Sequence, residues 1–291
     1  TNKEIDRSDE LIRFFAMKEI DALISVGGDG SLTIAHALHQ KGLKVIGVPK
    51  TIDNDLDKTF TTFGFDSAVS FATECIDRLH STASSHQRVM VVEVMGRYAG
   101  WIALHSGIAG GAHAILIPEI PFDLDKVVAK VKERDSLGRM YSIVVVAEGA
   151  KEINGERAIV APAEIGHAER LGGLGTRLAH TLAAKTGKDS RAVVLGHLLR
   201  GGSPTAFDRL AAMRFGSAAV RGLAEGQSGV MVALAYPNVN YVKLEEVAGR
   251  ARDRPRRCAR LADPGRDPVA GDPEPVEGSH AGQEIELRAS D

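Results

Sequence analysis

Short apolar runs alternating with helix-like segments constrain this chain more than any other feature. Residues 22–26, 44–48, 89–94, 113–119 and 142–147 are rich in Val, Ile, Leu and Ala and have strand length. Between them apolar residues recur at helical spacing: at Leu11, Ile12, Phe14, Phe15 and Met17, across 32–40, at Phe71, Cys75 and Leu79 within 67–79, and across 102–107 and 124–134. Such alternation predicts an α/β protein with mainly parallel sheets covered by helices. Ser8 can cap the first helix, while Trp101, Cys75 and the strand 142–147 read as core. With 291 residues, 44% of them hydrophobic, the chain can bury a large core in one large or two medium domains. A net charge of −2 gives no reason to expect a nucleic-acid or anionic-membrane partner. Two distant cysteines, Cys75 and Cys258, lack metal-ligand spacing, and no apolar run is long enough to span a bilayer. The polar start, Thr1-Asn2-Lys3-Glu4, is not a signal peptide, so the expected setting is soluble and cytoplasmic.

Open parallel sheets place their chemistry at the carboxyl ends of strands, and the residues there are distinctive. The run 22–26 ends in Gly27-Gly28-Asp29-Gly30-Ser31 and then a helix, an order that aims backbone N–H groups at a phosphate. Asp29 is placed to hold the divalent cation that accompanies nucleotide phosphates. The same turn occurs in kinases of lipids and dinucleotides, and a plain turn has a similar composition. The run 44–48 leads into Pro49-Lys50-Thr51-Ile52-Asp53-Asn54-Asp55, read as a loop. One of its carboxylates can take a proton from a substrate hydroxyl while the other handles a metal, although a polar turn uses the same residue types. After 89–94 come Met95, Gly96 and Arg97, the last a fork for phosphate or hydroxyls. Glu148 closes 142–147, where a sugar-binding acceptor and a solvated surface residue are equally at home. Gly172-Gly173-Leu174-Gly175 opens a helix over 176–185 and reads as a packing turn rather than a second phosphate site. Arg191, His197 and Arg200, with Gly201-Gly202, cluster around one more strand and suit an anionic ligand such as a phosphate monoester. The remaining histidines show no ligand spacing.

Taken in order, Gly27-Gly28-Asp29-Gly30-Ser31, Pro49-Lys50-Thr51-Ile52-Asp53-Asn54-Asp55, Val92-Glu93-Val94-Met95-Gly96-Arg97 and Leu195-Gly196-His197-Leu198-Leu199-Arg200-Gly201-Gly202-Ser203-Pro204-Thr205 resemble the motifs of 6-phosphofructokinases. The resemblance runs from about residue 21 to about residue 249. It implies two Rossmann-like three-layer domains: 1–64 with 200–249 for the nucleotide, and 65–199 for fructose 6-phosphate. It assigns Gly28, Asp29, Gly30 and Ser31 to the donor phosphates, with Asp29 as the Mg2+ ligand. Thr51, Ile52 and Asp53 would face the sugar, Asp53 being the base for its 1-hydroxyl and Asp55 an acidic neighbour. Arg88, Met95, Gly96, Arg97, Glu148, Arg191, His197, Leu198, Leu199 and Arg200 would form the fructose 6-phosphate site. Positions matching Arg88 and Arg191 reach into a neighbouring subunit's site, which implies a homodimer or homotetramer with shared active sites.

The expected reaction is ATP-dependent phosphorylation of D-fructose 6-phosphate to D-fructose 1,6-bisphosphate. Gly30 leaves room for a nucleoside, whereas Lys50 resembles the pyrophosphate-using and mixed branch, so pyrophosphate stands as the alternative donor. The family's first strand and Gly-rich phosphate loop have no counterpart before residue 21. Residues 250–291 change to an Arg-rich run, then to Pro, Gly and acids with almost no large apolar residues, a composition expected to be disordered. A gene fragment or shifted reading frame accounts for both ends, leaving an inactive sugar-phosphate-binding remnant as the rival expectation.

Overall fold

The computed structural model describes residues 6–153, 155, 159–161 and 170–249. In chain order these form α1 (Ser8–Met17), β1 (Leu23–Gly27), α2 (Asp29–Gln40), β2 (Val45–Thr51), β3 (Phe63–Gly64), α3 (Phe65–Ser85), β4 (Val89–Val94), α4 (Trp101–Ala109), β5 (Ala114–Leu116), α5 (Leu124–Ser136) and β6 (Ser142–Ala147). There follow β7 (Ile159–Ala161), β8 (Arg170–Leu171), α6 (Leu174–Thr186), β9 (Ser190–Val194), a 3₁₀ turn (Gly196–Arg200), α7 (Ala206–Ala224), β10 (Val230–Ala235), β11 (Asn238–Lys243) and a second 3₁₀ turn (Leu244–Glu246). The expected α/β architecture is present as two sheets. The first has the order β1-β2-β10-β11, with β3 beside the end of β2, and only β11 runs antiparallel to its neighbour. The second, β5-β6-β4-β9, is wholly parallel.

The central strands of the second sheet, β4 and β6, are buried on both faces, which is why they read as unbroken apolar runs. Met90, Val92, Ile143 and Val145 face a core shared with α3 and α4, and Val89, Val91, Val144 and Val146 face one shared with α5 and α6. In the first sheet Val45 packs with Leu32 and Leu38 of α2, while Ile46 and Val48 pack with Ala211, Phe215 and Ala219 of α7. Each sheet is thus the middle of three layers.

Several boundaries differ from the sequence expectation. β2 continues through Pro49 to Thr51, so the first three residues of the presumed loop are strand. Pro49 is tolerated because it faces the same side as Val45, whose carbonyl accepts from Gly229 N, and pairing with β10 has already ended at Gly47. α2 begins at Asp29 rather than residue 32, with Gly28 as its N-cap. The run 113–119 narrows to three strand residues. α7, β10 and β11 had no counterpart in the sequence reading. The composition-based reading of 250–291, including Cys258, falls outside the described residues. No helix among the described residues is long and apolar enough to cross a membrane.

The Gly172–Gly175 turn is a packing turn whose anion is internal. Glu93, buried in β4, accepts from Gly175 N at 2.6 Å and Gly173 N at 3.3 Å, so its carboxylate occupies the positive end of α6. A Cβ on Gly175 would lie 2.9 Å from Glu93 Cβ and 3.0 Å from its Oε2. Gly175→Ala is therefore expected to lower stability by about 1–3 kcal/mol, measured by urea unfolding, despite alanine's better helix propensity.

At the amino edge of the same sheet, His80, His113 and Tyr141 stack edge to face. His113 Nδ1 accepts from Ile143 N at 2.8 Å, which requires that nitrogen to be unprotonated. Burial, with Arg134 and His80 nearby, holds the imidazole down at about 4 against its ordinary 6.5. The unfolded chain binds the extra proton first, so this contribution is complete above pH 6.5 and is lost as pH falls toward 4. His113→Asn, whose amide oxygen can still accept, is expected to flatten the fall in melting temperature across that window.

Candidate active site

The carboxyl ends of both sheets converge on the segment after β2. Gly28 sits so close to Thr51 that a Cβ on it would come within 3.3 Å of Thr51 Cβ, which joins the turn after β1 to the end of β2. Thr51 pairs with Gly64 of β3, and its carbonyl accepts from Thr62 Oγ1 at 2.7 Å. Its hydroxyl accepts from Asp53 N at 3.1 Å and lies 3.4 Å from Asp53 Oδ2, turning that carboxylate out of the strand line. Asn54 is buried with φ of 51° and accepts from Thr62 N at 3.1 Å. Asparagine tolerates this left-handed backbone, so Asn54 sets the loop that carries both acids. The sequence reading gave it no part, although its turn preference was a usable signal.

The second sheet contributes the opposite wall. Ile52 packs into that sheet's core beside Met95 and Leu199. Gly149 N donates to Gly96 O at 3.0 Å, and a Cβ on Gly149 would strike Arg97 O, so the loops after β4 and β6 interlock. Arg97 lies near enough to Asp53 and Glu148 to influence both, and Arg200 acts on Asp53 from the 3₁₀ turn after β9. Arg97 Nε is buried with no hydrogen-bond partner among the described residues. His197 and Arg200 are exposed on that turn, and Leu198 is 65% exposed. Leu199 is core, leaving only its backbone to meet a ligand. A cleft of about 850 Å³ opens beside these groups, lined by Gly28, Lys50, Thr51, Ile52, Gly64, Arg200, Asp208 and Arg209 among others.

Electrostatics at the site favour proton chemistry. Burial raises the Asp53 carboxyl, with Arg200, the Thr51 hydroxyl and Arg97 pulling it back. Burial, then the neighbouring Asp53 and finally Asp29, push Asp55 up to about 6. Burial likewise raises Glu148 against the opposing charge of Arg97. Asp55 Oδ1 is buried with no hydrogen-bond partner among the described residues, and Asp29 Oδ1 accepts from Gly249 N at 2.9 Å. The described residues contain no group of three metal-ligating side chains. One or two carboxylates facing a phosphate cradle suit magnesium, which keeps most of its waters and takes phosphate oxygens.

Other sequence-derived residues lie elsewhere. Arg88 precedes β4, about 20 Å from its carboxyl end at roughly 3.3 Å per residue, and Arg191 lies early in β9, about 10 Å from that strand's carboxyl end. Both are paired to Asp189, at 2.5 Å and 3.2 Å. Within one chain they do not join the Asp53 site. At the other wall, a Cβ on Gly30 would meet nothing within 4 Å, and Ser31 is exposed one residue further into α2.

A family model described as phosphofructokinase matches residues 1–223. The pyrophosphate–fructose 6-phosphate 1-phosphotransferase of Amycolatopsis mediterranei is 53% identical over 249 residues, covering 85% of this chain and 72% of the relative. An ATP-dependent 6-phosphofructokinase of Chloroflexus aggregans is 53% identical over 251 residues, covering 84% and 68%. Among solved structures, the pyrophosphate-dependent phosphofructokinase of Marinobacter aquaeolei superposes with a TM-score of 0.74 at 29% identity, covering 87% of this chain and 67% of that one. The chain belongs to the phosphofructokinase family.

Raised acids carry a stability cost with a definite sign. Between its ordinary 3.8 and about 6, Asp55 binds more proton in the folded state, so stability falls as pH rises through that window. In chelated buffer, Asp55→Asn is expected to melt several degrees above wild type at pH 7, and the two curves should coincide below about pH 4.

Proposed function

We propose that this protein transfers the γ-phosphoryl group of ATP to the 1-hydroxyl of D-fructose 6-phosphate, forming D-fructose 1,6-bisphosphate as a glycolytic enzyme of the cytoplasm. The observation that carries the reading is the placement of Asp53. Its basicity is raised by burial, it faces Arg97 and Arg200, and its loop is joined through Thr51 to the Gly28–Asp29 turn. Asp53 takes the proton of the acceptor hydroxyl, and Thr51 fixes its orientation. Backbone N–H groups of Gly28, Gly30 and Ser31 at the start of α2 receive donor phosphate oxygens. Asp29, with Asp55 beside it, would hold Mg2+, which supplies charge neutralisation on the phosphates when bound. His197 and Arg200 receive the sugar 6-phosphate, Glu148 accepts from sugar hydroxyls, and Met95 and Gly96 shape the sugar wall. Arg97 stabilises the charge that develops on the transferring group.

Residues 1–64 with 200–249 serve as the donor-binding unit and 65–199 as the sugar-phosphate unit. Arg88 and Arg191, gathered away from Asp53, serve a second subunit's sugar phosphate in a homo-oligomer. The open space at Gly30 favours ATP. Pyrophosphate is the second reading, favoured by Lys50, whose exposed amine lines the cleft beside Gly28 and Thr51, and by the name of the Amycolatopsis relative.

Initial rates in an assay coupled to fructose 1,6-bisphosphate, with ATP and pyrophosphate at matched concentrations, test the donor; ATP is expected to be faster. In the same assay Asp53→Ala is expected to lose about 10²–10⁴-fold in kcat with modest change in KM for the sugar. Turnover close to wild type would remove Asp53 from its role.

A further inference from the structure

Two helices begin where the chain passes between the sheets: α3 directly after β3, and α7 six residues beyond Arg200. Their first turns are joined by side chains that have exchanged partners. Thr205 is the N-cap of α7 and Asp208 stands three residues on, the Thr-x-x-acid spacing in which the acid ordinarily returns to the cap's own N–H. Here Asp208 Oδ2 instead accepts from Ser67 N at 2.8 Å and Ser67 Oγ at 2.5 Å, in α3. Thr205 N donates to Ser67 Oγ at 3.0 Å. Thr205 Oγ1 donates to Asp66 at 2.5 Å and accepts from Asp208 N at 3.3 Å. Each hydroxyl thus gives its single proton to an acid and accepts one backbone N–H. Two positive helix ends, which would repel each other, are held together by one another's acids.

Asp208 is 2% exposed, so these bonds are shielded from water and the pairing is charge-assisted. On one side, Phe65 to Ser67 follow Gly64, whose partner in the ladder is Thr51, two residues before Asp53. On the other, Thr205 lies at the end of the Gly201–Pro204 link that begins at Arg200, and Gly202 in that link has φ of 86°. The link has no regular structure of its own.

We infer that Asp66, Ser67, Thr205 and Asp208 are positioning residues that fix Arg200 relative to Thr51 and Asp53, so that the sugar phosphate and the reacting hydroxyl are held at one spacing. The inference rests on the proposed reading of Arg200 as a sugar-phosphate ligand. None of the four is assigned to the catalytic or binding groups above.

Ser67→Ala opens the ring at the least cost in volume, and Ser67→Thr keeps the hydroxyl. Ser67→Ala is expected to lower kcat/KM for fructose 6-phosphate by about 10²-fold while leaving KM for the donor within about twofold, and Ser67→Thr should stay near wild type. In an Arg200→Ala background the same change should cost less than about twofold, because its effect passes through Arg200. An undiminished effect in that background, or normal sugar kinetics alongside a lower melting temperature, would overturn the inference. Amide hydrogen exchange on the substrate-free protein supplies an arm that needs no activity. Ser67→Ala should speed exchange at 65–67 and 196–205 by at least about tenfold and leave β4 and β6 unchanged. Unchanged exchange in the 196–205 segment overturns the inference even where the wild type neither turns over nor binds fructose 6-phosphate, a result that would separately end the proposed function.

Discussion

Ile52 is planted in the core of the second sheet, although the strand that delivers it belongs to the first. Almost everything about the site depends on that one crossing. Ile52, partly buried, follows β2 directly and packs against that core, so Thr51 and Asp53 on either side of it lie at the seam. The packing of one partly buried branched side chain therefore helps to place the carboxylate that loses water. The interlocked glycines after β4 and β6 form the other half of the seam, because only a residue without Cβ lets Gly149 approach the Arg97 carbonyl.

The seam explains why three acids there resist ionisation. Asp53, Asp55 and Glu148 are each raised chiefly by loss of water; neighbouring Asp53 adds to the shift at Asp55, while Arg97 opposes it at Glu148. Arg97 and Arg200 oppose the shift at Asp53 without cancelling it. By contrast, the ion pairs at the surface, such as Arg78 with Glu74, join exposed side chains and contribute little. Dehydration and imperfect neutralisation are tolerable costs at a place with the proposed role of accepting a proton beside a polyphosphate.

Much of the fold could be read from the sequence because parallel strands buried on both faces leave continuous apolar runs. The strands at 89–94 and 142–147 were delimited to the residue for that reason. The glycine turn before α2 and the Asp53 segment were legible as local chemistry. What escaped reading was non-local. α7 exposes Phe207, Leu210, Met213 and Val220 while burying Asp208, which blurs its period. β2 runs through Pro49, a residue that ordinarily argues against a strand, because pairing on that side has already stopped. Asp208 and Ser67 lie more than a hundred residues apart, and each looks like an ordinary cap of its own helix. Leu199 shares a sequence motif with the expected ligands His197 and Arg200, yet the packing sends its side chain inward.

The chain contains two glycine turns that open helices, and they have opposite fates. The turn before α2 leaves its N–H groups facing the seam, while the one before α6 is filled by Glu93, which is covalently part of the neighbouring strand. A tethered carboxylate competes at an effective concentration that a free anion in solution does not reach. The second turn is thus filled from within the chain, its N–H groups already committed to Glu93.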